Sequence, residues 1–308
     1  MTVASRTTNR TEPAASAFGA RDDWPASWRA LSSAALLDAV RTAHATGHGL
    51  RATRGRDTRA ALVDGHRLAV KRFVGDEPRE WWYERLRGAP RDPAEREARA
   101  LARAGTLGLR VPRPLLALRE DPAPRLAPPR PGRGASAWLV TAWLDHDDHL
   151  GRRAARERDP ARRRALLGAT AELVARLHAA GGYHRDLYLL HLVLCASDPG
   201  GVELALLDLG RCRFEPDPRE RWFVKDLAAL DGSAGDAVTA RERLRFLALW
   251  RRATGRGPAD ARRVATAARL KARALFAHAP IDPGTDRVGW PREDADDARI
   301  DPAEEGAR

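Results

Sequence analysis

Cysteine is almost absent from this 308-residue sequence, which contains only Cys195 and Cys212. Two thiols cannot build the disulfide framework of a small secreted scaffold, and no CxxC pair or Cys/His zinc pattern surrounds them. Long apolar runs are missing as well: none approaches the roughly 18 residues of a membrane-spanning helix. The opening MTVASRTTNRTEPAAS lacks an apolar stretch of signal-peptide type. Lysine is scarce, with only Lys71, Lys225 and Lys271 among 54 basic residues. These absences exclude a secreted disulfide scaffold, a zinc module and an integral membrane protein. The expectation that remains is a soluble protein of a reducing compartment. At roughly 100–200 residues per domain, the length suits one large domain or two lobes.

What is present in excess is positive charge, a net +12 with a pI near 10.9. Residues 281–308 carry nine acids against four arginines, so the remaining 280 residues carry +17. A body of that charge attracts polyanions such as nucleic acid, phospholipid headgroups or nucleotides. The arginine- and alanine-heavy usage is the mark of a GC-rich genome, which weakens any argument from arginine content alone. It makes the position of each lysine worth asking about.

The pattern along the chain predicts an α+β architecture with two lobes. Residues 1–34 read as a disordered or irregular arm and 281–308 as an acidic tail. Residues 35–145 read as a small β-rich lobe. GLRATRGRDTRAALVDGHRLAVKRFV gives three strands with a turn at Asp64-Gly65. DPAEREARALARAGTLGL gives a helix capped near Asp92 and ended by Gly105. Two more strands flank a proline-rich loop over 119–134. Residues 146–280 read as a larger helical lobe. Leu166, Thr170, Leu173 and Leu177 recur at helical spacing before Gly181-Gly182, followed by a hairpin, HLVL and VELALLDL.

Four segments stand in the order that phosphoryl transfer requires. Lys71 ends the apolar strand LAVK, where an ammonium can hold nucleotide phosphates. Glu97 on the next helix can pair with it. His184-Arg185-Asp186-Leu187 supplies a carboxylate able to take the proton of an attacking hydroxyl. Leu207-Asp208-Leu209-Gly210 supplies one able to hold magnesium. Taken singly, each has an ordinary explanation: an edge charge, a helix-face ion pair, a charged triplet, a turn. Their order matches the V-A-I-K, H-R-D-L and D-F-G segments of protein kinases. The glycine-rich loop is poor, since RATRGRDTR offers only Gly55. His146 and His149 in DHDDHL look like a metal cluster but read better as a solvated loop.

From Tyr183 to Leu194 the sequence YHRDLYLLHLVL resembles the bacterial lipopolysaccharide core kinases of the Kdo/WaaP family. His191 stands five residues after Asp186, where protein kinases carry a magnesium-binding Asn, as in the family's H-R-D-x-Y-x-C-H. Leu190 departs from its Cys. LLDLGR at 206–211 resembles the family's I-D-L-H-R with Gly210 in place of the His. RWFVKDLAAL at 221–230 resembles its R-W-x-x-K-D-L-x-x-L, and RLRFL at 243–247 its R-F helix. The resemblance implies a bilobal protein-kinase-like fold that uses ATP and Mg²⁺ to phosphorylate a sugar hydroxyl of the lipopolysaccharide inner core, Kdo or heptose, or a related envelope glycan. It implies Asp186 as base, with Arg185 and His184 completing the catalytic triplet. Lys71, Glu97 and Gly55 fall to the nucleotide and Asp208 to the metal. His191 either binds the metal or orients the loop. The implied setting is cytoplasmic and peripheral at the inner face of the cytoplasmic membrane. The expected partner is lipopolysaccharide core or another anionic glycolipid, with no sequence-specific nucleic acid, and the expected form is a monomer. Two alternatives stay open: a small-molecule phosphotransferase of the aminoglycoside-phosphotransferase type, and a pseudokinase or basic membrane-binding scaffold. Retention of Lys71, Asp186 and Asp208 argues against a dead site.

The charge of the body yields a first expectation. The protein binds anionic vesicles at low salt, and binding fades as the screening length shortens to about 8 Å near physiological ionic strength. Equal sedimentation with neutral and anionic vesicles overturns the electrostatic account.

Overall fold

The computed structural model describes residues 13–53, 55–76, 78–86, 92–121, 132, 136–195 and 201–276. Their elements are β1 (Ala14–Ala17), α1 (Ser33–Thr46), β2 (His48–Thr53), β3 (Arg56–Val63), β4 (His66–Val74), α2 (Pro78–Arg85), α3 (Pro93–Thr106), β5 (Pro114–Arg119), β6 (Ser136–Ala142), β7 (Asp148–His149), α4 (Leu150–Arg156), α5 (Pro160–Ala179), β8 (Gly182–Tyr183), β9 (Leu192–Cys195), β10 (Glu203–Leu206), β11 (Arg213–Phe214), α6 (Glu220–Ala234), α7 (Ala240–Ala253) and α8 (Pro258–Leu275). They fall into two compact units. Among the described residues the first runs to Glu95 and resumes over Pro114–Thr141; the second takes Arg96–Arg113 and residues 142–276.

The first unit is built on a six-stranded sheet in the order β1-β5-β6-β4-β3-β2. β3 and β4 join through Asp64 and Gly65, both at positive φ, as the Asp-Gly signal requires of a tight hairpin. Asp64 also takes a hydrogen bond from the Ser27 amide at 2.7 Å. Ala60, Leu68, Val70 and Phe73 are buried, as are Leu115 to Leu118 and Ala137 to Val140. The expected N-terminal arm is more ordered than its composition suggests. Ala14–Ala17 pair antiparallel with β5, and Trp24 and Trp28 are buried. AASA carries no periodicity of its own; the neighbouring strand supplies its hydrogen bonds. Residues 1–12, the body of the proline loop and the tail 281–308 lie outside the described residues.

α3 begins as read, with the Glu95 amide donating to the Asp92 carboxylate at 2.9 Å and Pro93 in its first turn. It does not end at Gly105. That residue lies inside the helix, and the left-handed turn falls at Gly108, with φ +70 and the Leu109 amide returning to Ala104.

In the second unit α5 buries Leu166, Thr170, Leu173 and Leu177, the stripe the spacing predicts. It packs on α7, and α6 packs on α8. Gly181 ends the α5 turn at φ +71, and a Cβ there would lie 1.9 Å from the Glu215 carbonyl oxygen, so only glycine fits. β9 and β10 form the expected antiparallel hairpin. Both cysteines are free and buried. Among the described residues, no helix is long and apolar enough to cross a membrane.

The start of α7 is clamped to α5. Thr239 and Glu242 form a reciprocal cap, and Arg163 donates to both Glu242 oxygens at 2.7 and 2.8 Å. The Arg163 guanidinium, with help from Thr239, holds the Glu242 carboxyl down to about 2 from an ordinary 4.5. A carboxyl depressed in the folded state stabilises above its unfolded pKa, and that stability is lost as pH falls through the folded one. Melting temperature should therefore drop between pH 4.5 and pH 2, and Glu242→Gln should remove part of that slope. A variant whose slope matches the parent in circular-dichroism melts over this window would show the clamp to be energetically silent.

Candidate active site

The site in the second unit begins where β8 ends. The chain passes from Tyr183 through His184, Arg185 and Asp186 to a single 3-10 turn, Leu189–His191, and then into β9. Three non-glycine residues among those described have positive φ: Asp64, Arg185 at +75 and Asp208 at +55. The last two belong to the H-R-D and D-L-G segments. Such backbone is costly for residues bearing a Cβ and persists only where neighbours over-determine it.

Asp226 on α6 supplies that constraint. It is fully buried, and its oxygens accept from the His184 amide at 2.7 Å and the Arg185 amide at 2.6 Å. Its third partner is His178 Nε2 at 3.3 Å, while Trp250 Nε1 donates to His178 Nδ1 at 3.1 Å. An indole nitrogen only donates, so Nδ1 is the acceptor and Nε2 carries the proton toward Asp226. Helices α5, α6 and α7 thus each contribute one group to a chain ending on the backbone beside Asp186.

Two histidines then tie this loop to the D-L-G segment. The Asp186 amide donates to His184 Nδ1 at 3.3 Å, which leaves His184 Nε2–H to donate to the Leu207 carbonyl at 2.9 Å. His191 Nδ1–H donates to the Asp186 carbonyl at 2.7 Å, and the Leu207 amide donates to the His191 carbonyl at 2.8 Å. His191 Nε2 lies 3.8 Å from Asp208 Oδ2. Arg96 on α3 donates to the Gly210 carbonyl at 3.1 Å. Asp186 and Asp208 are therefore positioned against one another through hydrogen bonds to their neighbours.

The Asp186 carboxylate faces cations. Arg211 Nη1 lies 3.0 and 3.1 Å from its two oxygens, and Lys225 Nζ lies 3.7 Å from Oδ1. Burial pulls the Lys225 ammonium below its ordinary pKa, partly opposed by Asp186. Arg185 is buried and stands over the Trp222 ring at 5.1 Å, and Trp222 stacks on Tyr183.

Asp186, Arg185, His184, His191 and Asp208 are thus brought together in the second unit. Glu97, also in that unit, is buried on α3. Lys71 belongs to the first unit, on β4 opposite Thr58, with its ammonium 5.8 Å from the Phe73 ring centroid. Gly55 turns the β2–β3 hairpin at φ +85. DHDDHL is not the solvated loop its composition suggests: Asp148 and His149 form β7, His149 is buried and caps α4, and His146 bonds the Leu144 carbonyl; among the described residues no cluster of three or more metal-ligating side chains occurs. Sequence reasoning missed His178 and Trp250, whose positions read as helix-core spacing. It also missed the approach of Arg211 and Lys225 to Asp186, although both lie in the quoted motifs.

A sheet-rich unit bearing Lys71, followed by a helical unit bearing H-R-D and D-L-G in this geometry, defines a protein-kinase-like fold. The chain matches the model of the Lipopolysaccharide kinase (Kdo/WaaP) family over residues 46–250. Lipopolysaccharide core heptose(I) kinase WaaP of Pseudomonas aeruginosa is 43% identical over 98 residues, 30% of this chain and 37% of that protein. The protein of the same name from Escherichia coli K12 is 28% identical over 115 residues, 36% of this chain and 43% of that protein. These matches thus span well under half the length of the curated relatives. A solved structure, WaaP in complex with acyl carrier protein, is similar with a TM-score of 0.59 and 28% identity, over 78% of this chain and 92% of that one. The chain belongs to the Lipopolysaccharide kinase (Kdo/WaaP) family.

The buried carboxylate generates a stability test. Asp226→Asn keeps one acceptor oxygen but turns an amide N–H toward donors, so urea unfolding should show a loss of about 3 kcal/mol. A loss below about 1 kcal/mol would mean the loop is held by other contacts.

Proposed function

We propose that the protein transfers the γ-phosphoryl group of ATP to a sugar hydroxyl of the lipopolysaccharide inner core, at the inner face of the cytoplasmic membrane. The observation that carries this reading is the pair of aspartates, Asp186 and Asp208, fixed relative to one another through His184, His191 and Asp226. The two curated relatives make a heptose hydroxyl the first acceptor to test, ahead of Kdo. The structural neighbour's complex makes acyl carrier protein a partner to test.

In this reading Asp186 accepts the proton of the attacking hydroxyl as its oxygen bonds phosphorus. The bond from phosphorus to the β-phosphate oxygen breaks, and its electron pair leaves with ADP. Asp208 would hold the magnesium ion. A single carboxylate with His191 beside it would supply few protein ligands, which suits a cation that takes most of its ligands from phosphates and water. The bound ion would neutralise charge on the phosphate oxygens. His191 holds the Asp186 carbonyl whether or not its other nitrogen reaches the metal. Lys71 and Glu97 are assigned to the nucleotide by their place in the motif order.

ATP with Mg²⁺ should raise the melting temperature, a ligand at about 100 times its Kd contributing about 2.7 kcal/mol. Asp186→Asn should lower turnover on purified heptose-containing core by at least about 10²-fold with little change in nucleotide affinity. No thermal shift at millimolar ATP–Mg²⁺ in a folded sample, or near-normal transfer by Asp186→Asn, would overturn the assignment.

A further inference from the structure

The H-R-D segment explains why a carboxylate stands at Asp186, but not why two cations close on it. Arg211 at 3.0 Å and Lys225 at 3.7 Å occupy the Asp186 carboxylate from two sides, so its oxygens face cations where an incoming hydroxyl would have to approach. That arrangement suits proton transfer only if something else takes the cations when the reaction begins. A hydroxyl on Asp186 sits about 2.7 Å from the carboxylate oxygen, and the phosphorus it attacks about 3–3.5 Å beyond. A cation touching the base from the side therefore lies within reach of the phosphoryl oxygens.

Lys225 is held in that place by its neighbour in sequence. Asp226 binds the His184 and Arg185 amides, so one turn of α6 fixes both the loop that carries Asp186 and the ammonium that faces it. The lysine side chain is 20% exposed, enough for an anion to reach it and too little for water to screen it fully.

We propose that Lys225, with Arg211 beside it, is the anion seat for the phosphoryl group in transit: the two cations rest on Asp186 before the substrates bind and move to the phosphoryl oxygens when ATP enters. The ligand class is a terminal phosphoryl group. The inference rests on the phosphotransfer reading above and adds a residue to it. The exchange is one of ion-pair partners, with no bond made or broken at Lys225. It leaves Asp186 free to accept the hydroxyl proton as the new oxygen–phosphorus bond forms and ADP leaves with its electron pair.

A phosphoryl seat and a strut for Asp186 differ in what they do to ATP and to ADP. With Lys225→Met, ADP affinity should stay within about twofold of the parent, ATP affinity should fall about tenfold, and turnover should fall about 10²-fold. Lys225→Arg should recover part of the ATP affinity. The decisive arm places Lys225→Met in the Asp186→Asn background: a strut has nothing left to hold there, whereas a phosphoryl ligand still costs ATP affinity. Melting curves with ADP establish that each variant is folded. Loss of ATP and ADP affinity in equal measure, no effect of Lys225→Met once Asp186 is Asn, or turnover within about threefold of the parent overturns the inference. A parent protein that binds ATP–Mg²⁺ and phosphorylates core while ignoring Lys225→Met sinks this inference alone. A parent that binds no ATP sinks the phosphotransfer reading and this inference with it.

Discussion

A carboxylate buried without water costs several kcal/mol unless its lone pairs are taken, and Asp226 is such a carboxylate. Its solution is to accept two backbone amides and one imidazole, with a tryptophan indole fixing the imidazole's tautomer from behind. The demand runs both ways. The left-handed backbone of Arg185 turns its own amide and that of His184 toward one point, and only an acceptor with two oxygens satisfies both at 2.6 and 2.7 Å. Packing of α5 on α7 and α6 on α8 thus matters to the site because it delivers these groups together. Loosening any one helix would expose a charge and free a strained loop at once.

From that anchor the site propagates through histidines acting as bridges. The two ring nitrogens of His184 join the loop to the segment before Asp208, and His191 ties the same segments through its Nδ1 on the Asp186 carbonyl and its own carbonyl on the Leu207 amide. An asparagine at position 191, as in protein kinases, is shorter and brings an amide oxygen as metal ligand. A histidine there gives up oxygen ligation and gains a rigid ring that can bond the Asp186 carbonyl while its far nitrogen still faces Asp208. In the proposed reaction that exchange would leave the cation to Asp208, while the ring sets the distance between the two segments.

What could be read from the sequence divides along physical lines. The H-R-D and D-L-G segments were legible because chemistry fixes residue types at short spacing, and α5 because burial imposes a 3.6-residue period. β1 was not: AASA pairs with β5 through backbone groups that leave no side-chain signature. The glycine that ends α3 was misplaced by three residues, at Gly105 instead of Gly108, because a glycine is tolerated inside a terminal turn, and only the backbone shows which one takes positive φ. His178 and Trp250 were invisible for a different reason. Their spacing is that of ordinary core positions, and the hydrogen bonds that distinguish them join residues 72 apart in sequence. Lys225 stood in a recognisable motif, but which way a half-buried lysine points is settled by packing.

The scarcity of lysine gives the last step. In a chain where arginine is the default cation, Arg211 and Lys225 meet the same carboxylate from two sides. A guanidinium is planar, permanently charged and able to grip both carboxylate oxygens, and Arg211 does contact both. A second guanidinium in place of Lys225 would compete for the same oxygens with a longer fork and would hold them when the proton must arrive. An ammonium is a compact point charge whose hold on Asp186 at 3.7 Å is looser, and burial already weakens its preference for the charged state. The pair therefore combines a tight cation that orients Asp186 in the resting site with a looser one that, in the proposed exchange, is the first of the two to change partners. That division of labour requires two different residue types, and one of the three lysines in an arginine-rich sequence stands where the difference matters.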